Sequence, residues 1–196
     1  MPFVELKYED IIFDQKVQEM CISPGFSCPY YNHSWSCPPV APYMENIISR
    51  FDEFFLIYSQ FDLEGYIKNE KKKNPRRSEF YIKNTFLLKK TFLLNDLEGE
   101  FDRFLMQYEK NYSKILLLYD GTCRYCLMQN AGPCTYDAGE PCRFPEERRY
   151  SMEAVGIDVI QTVKHLRLEV DYPSNKYSYR FGLACIKKST NKCQST

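Results

Sequence analysis

Apolar residues recur along the chain at spacings that change from one segment to the next. Over residues 9–20 they fall at Ile12, Phe13, Val17 and Met20, close to helical spacing. Tyr43, Met44, Ile47, Ile48 and Phe51 mark a short amphipathic helix. Residues 54–58 form a short apolar run rich in β-formers, which predicts a buried strand. Residues 70–78 are the most polar stretch, with Lys71, Lys72, Lys73, Arg76 and Arg77, and read as a solvated loop. Over residues 79–110 the apolar positions Phe80, Leu87, Leu88, Phe92, Leu97, Phe101, Phe104, Leu105 and Tyr108 return to helical spacing, with a break expected near Asn95 and Asp96.

A second strand is predicted over residues 114–120, where Ile115 to Tyr119 is continuously apolar, as in a strand covered on both faces. Ser151 can cap a short turn, with Glu153 placed well for the helix dipole. Gly156 interrupts, and Asp158 can cap a helix reaching His165. A third strand is predicted over residues 177–186. Strands alternating with helices predict an α/β fold, a small mostly parallel sheet flanked by helices and carrying cysteine-rich loops. An α+β ferredoxin-like antiparallel arrangement is the alternative.

Composition supports a folded core. With 44% hydrophobic and 16% aromatic residues, global disorder is excluded, and 196 residues suit a single domain over 1–196. The 26 basic and 26 acidic residues balance, which argues against a general polyanion binder and makes nucleic acid a poor partner, the basic 71–77 segment notwithstanding. No apolar run is long enough to span a bilayer, and the first residues lack the basic and apolar regions of a signal peptide. A cytoplasmic protein is the expectation.

In such a reducing compartment, nine cysteines, an odd number, favour metal or redox chemistry over a disulfide framework. Seven of them fall in two segments, 21–42 and 121–150. The second segment reads C-x2-C-x7-C-x7-C on Cys123, Cys126, Cys134 and Cys142. Two intervening residues turn both thiolates of the close pair to one side, and four thiolates complete a tetrahedral zinc or a four-iron cluster. The first segment reads C-x6-C-x8-C-P-P on Cys21, Cys28 and Cys37. Its three thiols leave one position open for a further ligand, water or a substrate atom, with His33 a candidate inside the loop. Phe26, Tyr30, Tyr31 and Trp35 are placed to wall a cluster from water.

One close pair followed by widely spaced cysteines favours one or two iron–sulfur clusters, with zinc as the alternative. Arg143, beside Cys142, is a candidate for holding an anionic group or tuning a potential. Cys185 lies in an apolar strand and reads as core, and Cys193 lies in a polar tail. There is no Ser/His/Asp arrangement, and His33 and His165 are the only histidines, so histidine-based catalysis has little support. His165, near a helix end, reads as a surface residue compatible with the dipole.

Two stretches carry a resemblance. One is Ser34-Trp35-Ser36-Cys37-Pro38-Pro39. The other runs from Gly121-Thr122-Cys123-Arg124-Tyr125-Cys126 through Pro141-Cys142-Arg143-Phe144-Pro145 to the segment Ser151-Met152-Glu153-Ala154-Val155-Gly156-Ile157-Asp158-Val159. Together they resemble a family of cysteine-rich, predicted metal-binding proteins of unknown function, over residues 21–186. The resemblance implies a metal or iron–sulfur centre on Cys37, Cys123, Cys126 and Cys142, with Cys28 and Cys134. It speaks less for Cys21, since the family spacing ahead of the C-P-P is often closer. It supplies no reaction.

Three functions follow as expectations. The first is an iron–sulfur protein acting in electron transfer or redox chemistry, with a redox partner protein. The second is an enzyme that uses an open position of the three-cysteine site. The third is a zinc-stabilised binding module. Substrate, electron donor and oligomeric state are not encoded in any recognisable pattern.

Overall fold

A computed structural model describes residues 3–89, 92–108, 111–168, 170 and 174–189, without the side chains of 87–89 and 92–95. In chain order the elements are strand β1 (Phe3–Leu6), helix α1 (Lys16–Glu19), the short strands β2 (Ile22–Ser23) and β3 (Phe26–Ser27), and helix α2 (Glu45–Ile48). Strand β4 (Glu53–Asp62) follows, then helices α3 (Leu63–Lys73), α4 (Glu79–Lys89) and α5 (Phe92–Gln107), and strand β5 (Tyr112–Leu118). Helices α6 (Tyr125–Met128) and α7 (Val159–His165) precede strand β6 (Tyr177–Lys188).

Four strands form one sheet in the order β1-β4-β6-β5, and β2 pairs with β3 in a separate hairpin. Every neighbouring pair in the main sheet is antiparallel. This corrects the expected mostly parallel sheet. The continuous apolar runs did signal strands covered on both faces, but two-sided cover also occurs when helices return the chain antiparallel. The alternative, an antiparallel α+β arrangement, agrees with these pairings, although its ferredoxin-like connectivity does not hold, because three helices separate β4 from β5. Strand β6 lies between them, and β1, absent from the expectation, supplies an edge.

Alternation along β4 builds two cores. Phe54 and Leu56 face a cluster with Leu118, Met152, Val155, Ile157, Val163, Leu183 and Cys185. Phe55 and Ile57 face the opposite side, covered by Leu97, Phe101 and Phe104 of α5. A shift of one residue in β4 would exchange the two sets, so both cores fix the same register. Cys185 is fully buried, as its apolar strand predicts.

Residues 9–20 do not form the expected helix; only α1 is α-helical there. The backbone of Ile12 is engaged elsewhere, donating to Thr162 Oγ1 at 3.0 Å and accepting from Asp158 N at 2.8 Å. Phe13 forms a bridge with Ile157. Long-range pairing replaces the local ladder that the apolar spacing implied. The polar segment also differs: Lys71, Lys72 and Lys73 end helix α3, where their charges suit the C-terminal dipole. Asp62 caps this helix by accepting from Gly65 N at 2.8 Å. No break occurs at Asn95 and Asp96, which both lie inside the continuous helix α5. Cys193 and the side chains of Leu87, Leu88 and Phe92 lie outside the described residues. Among the described residues, no helix is long and apolar enough to cross a membrane.

The crossing of α5 over β6 depends on the absence of a side chain at Gly182. A Cβ there would lie 2.6 Å from both Leu118 O and the Phe101 ring. Gly182→Ala should therefore lower unfolding free energy by about 1–3 kcal/mol. Gly99, inside α5, has no atom closer than 3.8 Å to such a Cβ. Gly99→Ala should raise stability by about 1 kcal/mol. Urea unfolding of the two variants checks both signs.

Candidate metal centre

The first cysteine segment folds back on itself immediately after α1. Ile22 pairs with Ser27 and Ser23 with Phe26, and Gly25 takes a positive φ of 82° in the turn between them. The hairpin brings Cys28 beside Cys21, with Cys28 N donating to Cys21 O at 2.8 Å. The loop then closes through Asn32 N to Pro38 O at 2.8 Å and Cys37 N to Ser34 O at 3.1 Å. Cys37 and the hydroxyls of Ser34 and Ser36 are buried.

The three thiols act on one another. Burial pushes the Cys21 thiol up to about 11, helped by the neighbouring Cys28 and Cys37 and by Glu153, and Cys21 hydrogen-bonds to Cys28. Burial also pushes Cys37 up, opposed by its hydrogen bonds with Thr122 and Ser36. Burial and the neighbouring acids penalise the thiolates, while the hydroxyls around Cys37 favour its charged form.

The second segment begins where β5 ends. Cys123 precedes α6 and Cys126 lies within it, its carbonyl accepting from Ala131 N at 2.9 Å. Cys134 and Cys142 are carried on a loop pinched at its base, where Thr135 Oγ1 donates to Pro141 O at 2.9 Å. The Tyr125 and Phe144 rings meet edge-on at 5.2 Å, joining the C-x2-C turn to the Cys142 strand of the loop.

The two segments dock on each other. Cys123 N donates to Ser36 Oγ at 3.0 Å, and the Cys37 thiol donates to Thr122 Oγ1 at 3.5 Å. Trp35 Nε1 donates to Glu140 O at 3.1 Å, and Tyr136 Oη donates to Asn32 Oδ1 at 2.6 Å. His33, considered above as a ligand, is exposed and pairs its Nδ1 with Asp137 at 2.8 Å. Trp35 therefore fastens the loops together, stacked edge-on against Tyr136, while Phe26 and Tyr30 are exposed rather than forming a wall.

A third segment completes the region. Tyr119 bridges to Ser151, so residues 151–157 continue from the end of β5. Ser151 Oγ accepts from Ala154 N at 3.1 Å, and the turn ends at Gly156 with φ of 90°. A Cβ on Gly156 would lie 2.3 Å from the Tyr43 ring. Gln18 Nε2, on α1, donates to Ala154 O at 2.8 Å and to Ala41 O at 3.0 Å. One carboxamide thus ties the Cys21 helix, the chain after Cys37 and the Glu153 turn. Glu153 keeps solvent access as a residue, but protein atoms crowd its carboxyl. Burial and then the Asp120 carboxylate push it up to about 7, against Ser151 and Arg180, which favour the charged form. Asp120 itself is paired with Arg180, and both are largely buried.

Arginines flank the second segment. Arg143 donates to Pro133 O at 2.8 Å and so braces the loop. It is Arg148 that reaches the Cys142 sulfur, and it also donates to Tyr150 Oη at 2.9 Å. Arg124 and Arg149 share the Glu98 carboxylate at 2.8 and 3.2 Å, and Arg149 lies 4.5 Å over the Tyr119 ring. The described cysteines are all free thiols. Among the described residues, no three Cys, His, Asp or Glu side chains stand close enough together to hold a metal ion as they are placed.

The sequence identified the seven cysteines but not their supports. Ser36, Thr122 and Gln18 carry no chemical signature of their own. Glu153 and Arg148 lie in segments already singled out, yet their neighbours Cys21 and Cys142 become visible only in three dimensions.

A family model described as "Predicted metal-binding protein (DUF2284)" matches residues 4–186. Comparison with curated proteins and with solved structures found no match.

Ser36→Ala should cost about 1–2 kcal/mol, because it leaves the Cys123 N–H without its acceptor. Urea unfolding of the reduced, metal-free protein checks this. In the same protein, Cys185 should resist iodoacetamide until the chain unfolds, and Cys21 should react more slowly than a solvent-exposed thiol. Both are held in the unreactive thiol form. Mass spectrometry of timed alkylation gives the order.

Proposed function

We propose that this chain, which belongs to the DUF2284 family of predicted metal-binding proteins, holds iron–sulfur chemistry in its two interlocked cysteine loops and serves in electron transfer. The observation that carries the reading is the family match over residues 4–186, with the Cys37 turn docked through Ser36 and Thr122 onto the C-x2-C turn.

The donor set fits a thiophilic metal. Soft thiolates select zinc, copper(I) or iron–sulfur clusters over hard cations. Burial pushes the Cys21 and Cys37 thiols up and makes their thiolates unfavourable alone, and a bound cation reverses that penalty. Cys21, Cys28 and Cys37 would supply the first set of ligands, and Cys123, Cys126, Cys134 and Cys142 the second. An iron–sulfur cluster would supply one-electron transfer.

The remaining residues support that use. Arg148 at the Cys142 sulfur favours additional negative charge there, which is the direction a reduction takes. The shared Glu98 holds Arg124 and Arg149 at the same loop and limits their own movement. The buried Ser34 and Ser36 hydroxyls bond to each other at 3.1 Å and orient the Cys37 turn.

Protein purified without oxygen should contain iron and acid-labile sulfide and give an EPR signal in one redox state. Cys37→Ser should lose much of both, whereas Cys185→Ser should keep them. Stoichiometric zinc, unchanged after exposure to iron and sulfide, would overturn the iron–sulfur reading in favour of a zinc-stabilised module.

A further inference from the structure

The hairpin that opens the first cysteine segment sets two thiols opposite each other. We infer that Cys21 and Cys28 form a reversible disulfide across this hairpin when a peroxide oxidises the chain, a modification site that withdraws both sulfurs from the first loop. The disulfide stands on the hairpin alone. Its consequence for a metal rests on the metal-binding reading above.

Register comes first. Pro24 and Gly25 fill a two-residue turn, and the φ of 82° at Gly25 suits the third position of a type II turn. Ser23 pairs with Phe26 and Ile22 with Ser27. Turn length fixes the register of a hairpin, so the next residues out, Cys21 and Cys28, stand directly opposite each other. Cys28 N donates to Cys21 O at 2.8 Å, the bond expected of that pair. Side chains of an opposite pair leave the ribbon on the same face.

Reach comes second. Hydrogen-bonded opposite pairs hold their Cα atoms about 5.5 Å apart, and disulfides form across about 4.4–6.8 Å. The Cβ atoms of opposite residues stand about 4.5–5.5 Å apart and need only a small approach to about 3.8–4.5 Å. A two-stranded ribbon yields easily to such an approach. Residues 22–27 are exposed, and Cys21 and Cys28 are half-buried free thiols, so an oxidant and a reductant both have access. An accessible, slightly strained disulfide is of the readily reduced kind.

The third thiol of the segment is worse placed. Cys37 is buried, and its thiol is bonded to Thr122 Oγ1 at 3.5 Å. Its backbone is held in a separate turn, with Cys37 N donating to Ser34 O at 3.1 Å.

Hydrogen peroxide balances the reaction. One thiolate of the pair attacks a peroxide oxygen, the O–O bond breaks, and hydroxide leaves, giving a sulfenic acid. The second sulfur attacks the sulfenic sulfur. The S–S bond forms, the S–O bond breaks, and the hydroxyl leaves as water with the second thiol's proton. Two thiols lose two electrons and two protons, and one peroxide becomes two waters. The first loop then keeps only Cys37 of its three thiols, and oxidation closes it to a metal.

The test treats the reduced, metal-free full chain with one molar equivalent of hydrogen peroxide, then alkylates, denatures and digests it with chymotrypsin. Cleavage after Phe26 and Tyr31 separates Cys21, Cys28 and Cys37. Mass spectrometry should find Cys21 linked to Cys28 as the main product, and dithiothreitol should restore both thiols. A Cβ at Gly25 would meet nothing within 4 Å, so the strain of Gly25→Val falls on the turn. That variant should form the pair about tenfold more slowly. A main product joining Cys28 to Cys37, an intermolecular disulfide, or sulfinic acid at Cys21 and Cys28 overturns the site, and an unchanged rate in Gly25→Val overturns the hairpin as its cause. The purified Cys21–Cys28 species should take up less zinc than the reduced chain and regain it on reduction. Equal zinc uptake by the two forms overturns the closure to metal. No zinc uptake by the reduced chain overturns the metal-binding reading, and that closure with it, while the disulfide stands.

Discussion

Gln18 donates both protons of its side-chain amide to backbone carbonyls, one 23 residues and the other 136 residues away in the chain. The half-buried amide stands where α1, the chain leaving Cys37 and the Glu153 turn converge. None of these pieces is long enough to hold its shape alone. Helix α1 has four residues, and the turn at Glu153 has three. Isolated helices of such length are not stable in water. Their geometry is imposed from outside, by Gln18, by the Met44–Val155 bond and by the core beneath them. The seating of α1, just ahead of Cys21, against the Glu153–Val155 turn depends on that restraint.

The second loop is held by a different principle. It has little regular structure, and its contacts are mostly polar: a serine hydroxyl under a cysteine amide, an indole N–H on a carbonyl, a tyrosine on an asparagine. Such contacts contribute about 1 kcal/mol each. Together they set orientation more than stability, and they place a cysteine amide, a threonine hydroxyl and a buried thiol in one small volume. The arginines around the loop, anchored through Glu98 on α5, connect this polar region to the apolar layer behind the sheet.

Much of the frame was legible in the sequence. The three long strands, the caps at Ser151 and Asp158, the interruption at Gly156 and the buried Cys185 each follow from local pattern, and each is present. What local pattern does not carry is order in space. β1 has four residues at an edge, too few to display periodicity. α3 is mostly polar, with only Leu63 fully buried, so its lysines outweighed its apolar side in the reading. The segment at Ile12 and Phe13 has helical spacing but spends its backbone bonds on residues 157–162. At the site, the seven cysteines announce themselves by spacing. Glu153 looked like a residue serving its own turn, and Arg143 looked closer to a sulfur than Arg148, because neighbours in sequence were the only neighbours available.

The strand at the centre of the sheet is also the last of the four in chain order. During synthesis, β4 emerges with only its edge partner β1 available, and β5 appears with no neighbour in the sheet. Their pairing waits for β6, whose contacts with β4 bridge more than a hundred residues, from Asp62 opposite Tyr177 to Glu53 opposite Ile186. Separations of this kind slow folding. The first three cysteines therefore leave the ribosome long before the sheet beneath them can close. A nascent chain exposes those thiols before β6 has joined β4 to β5.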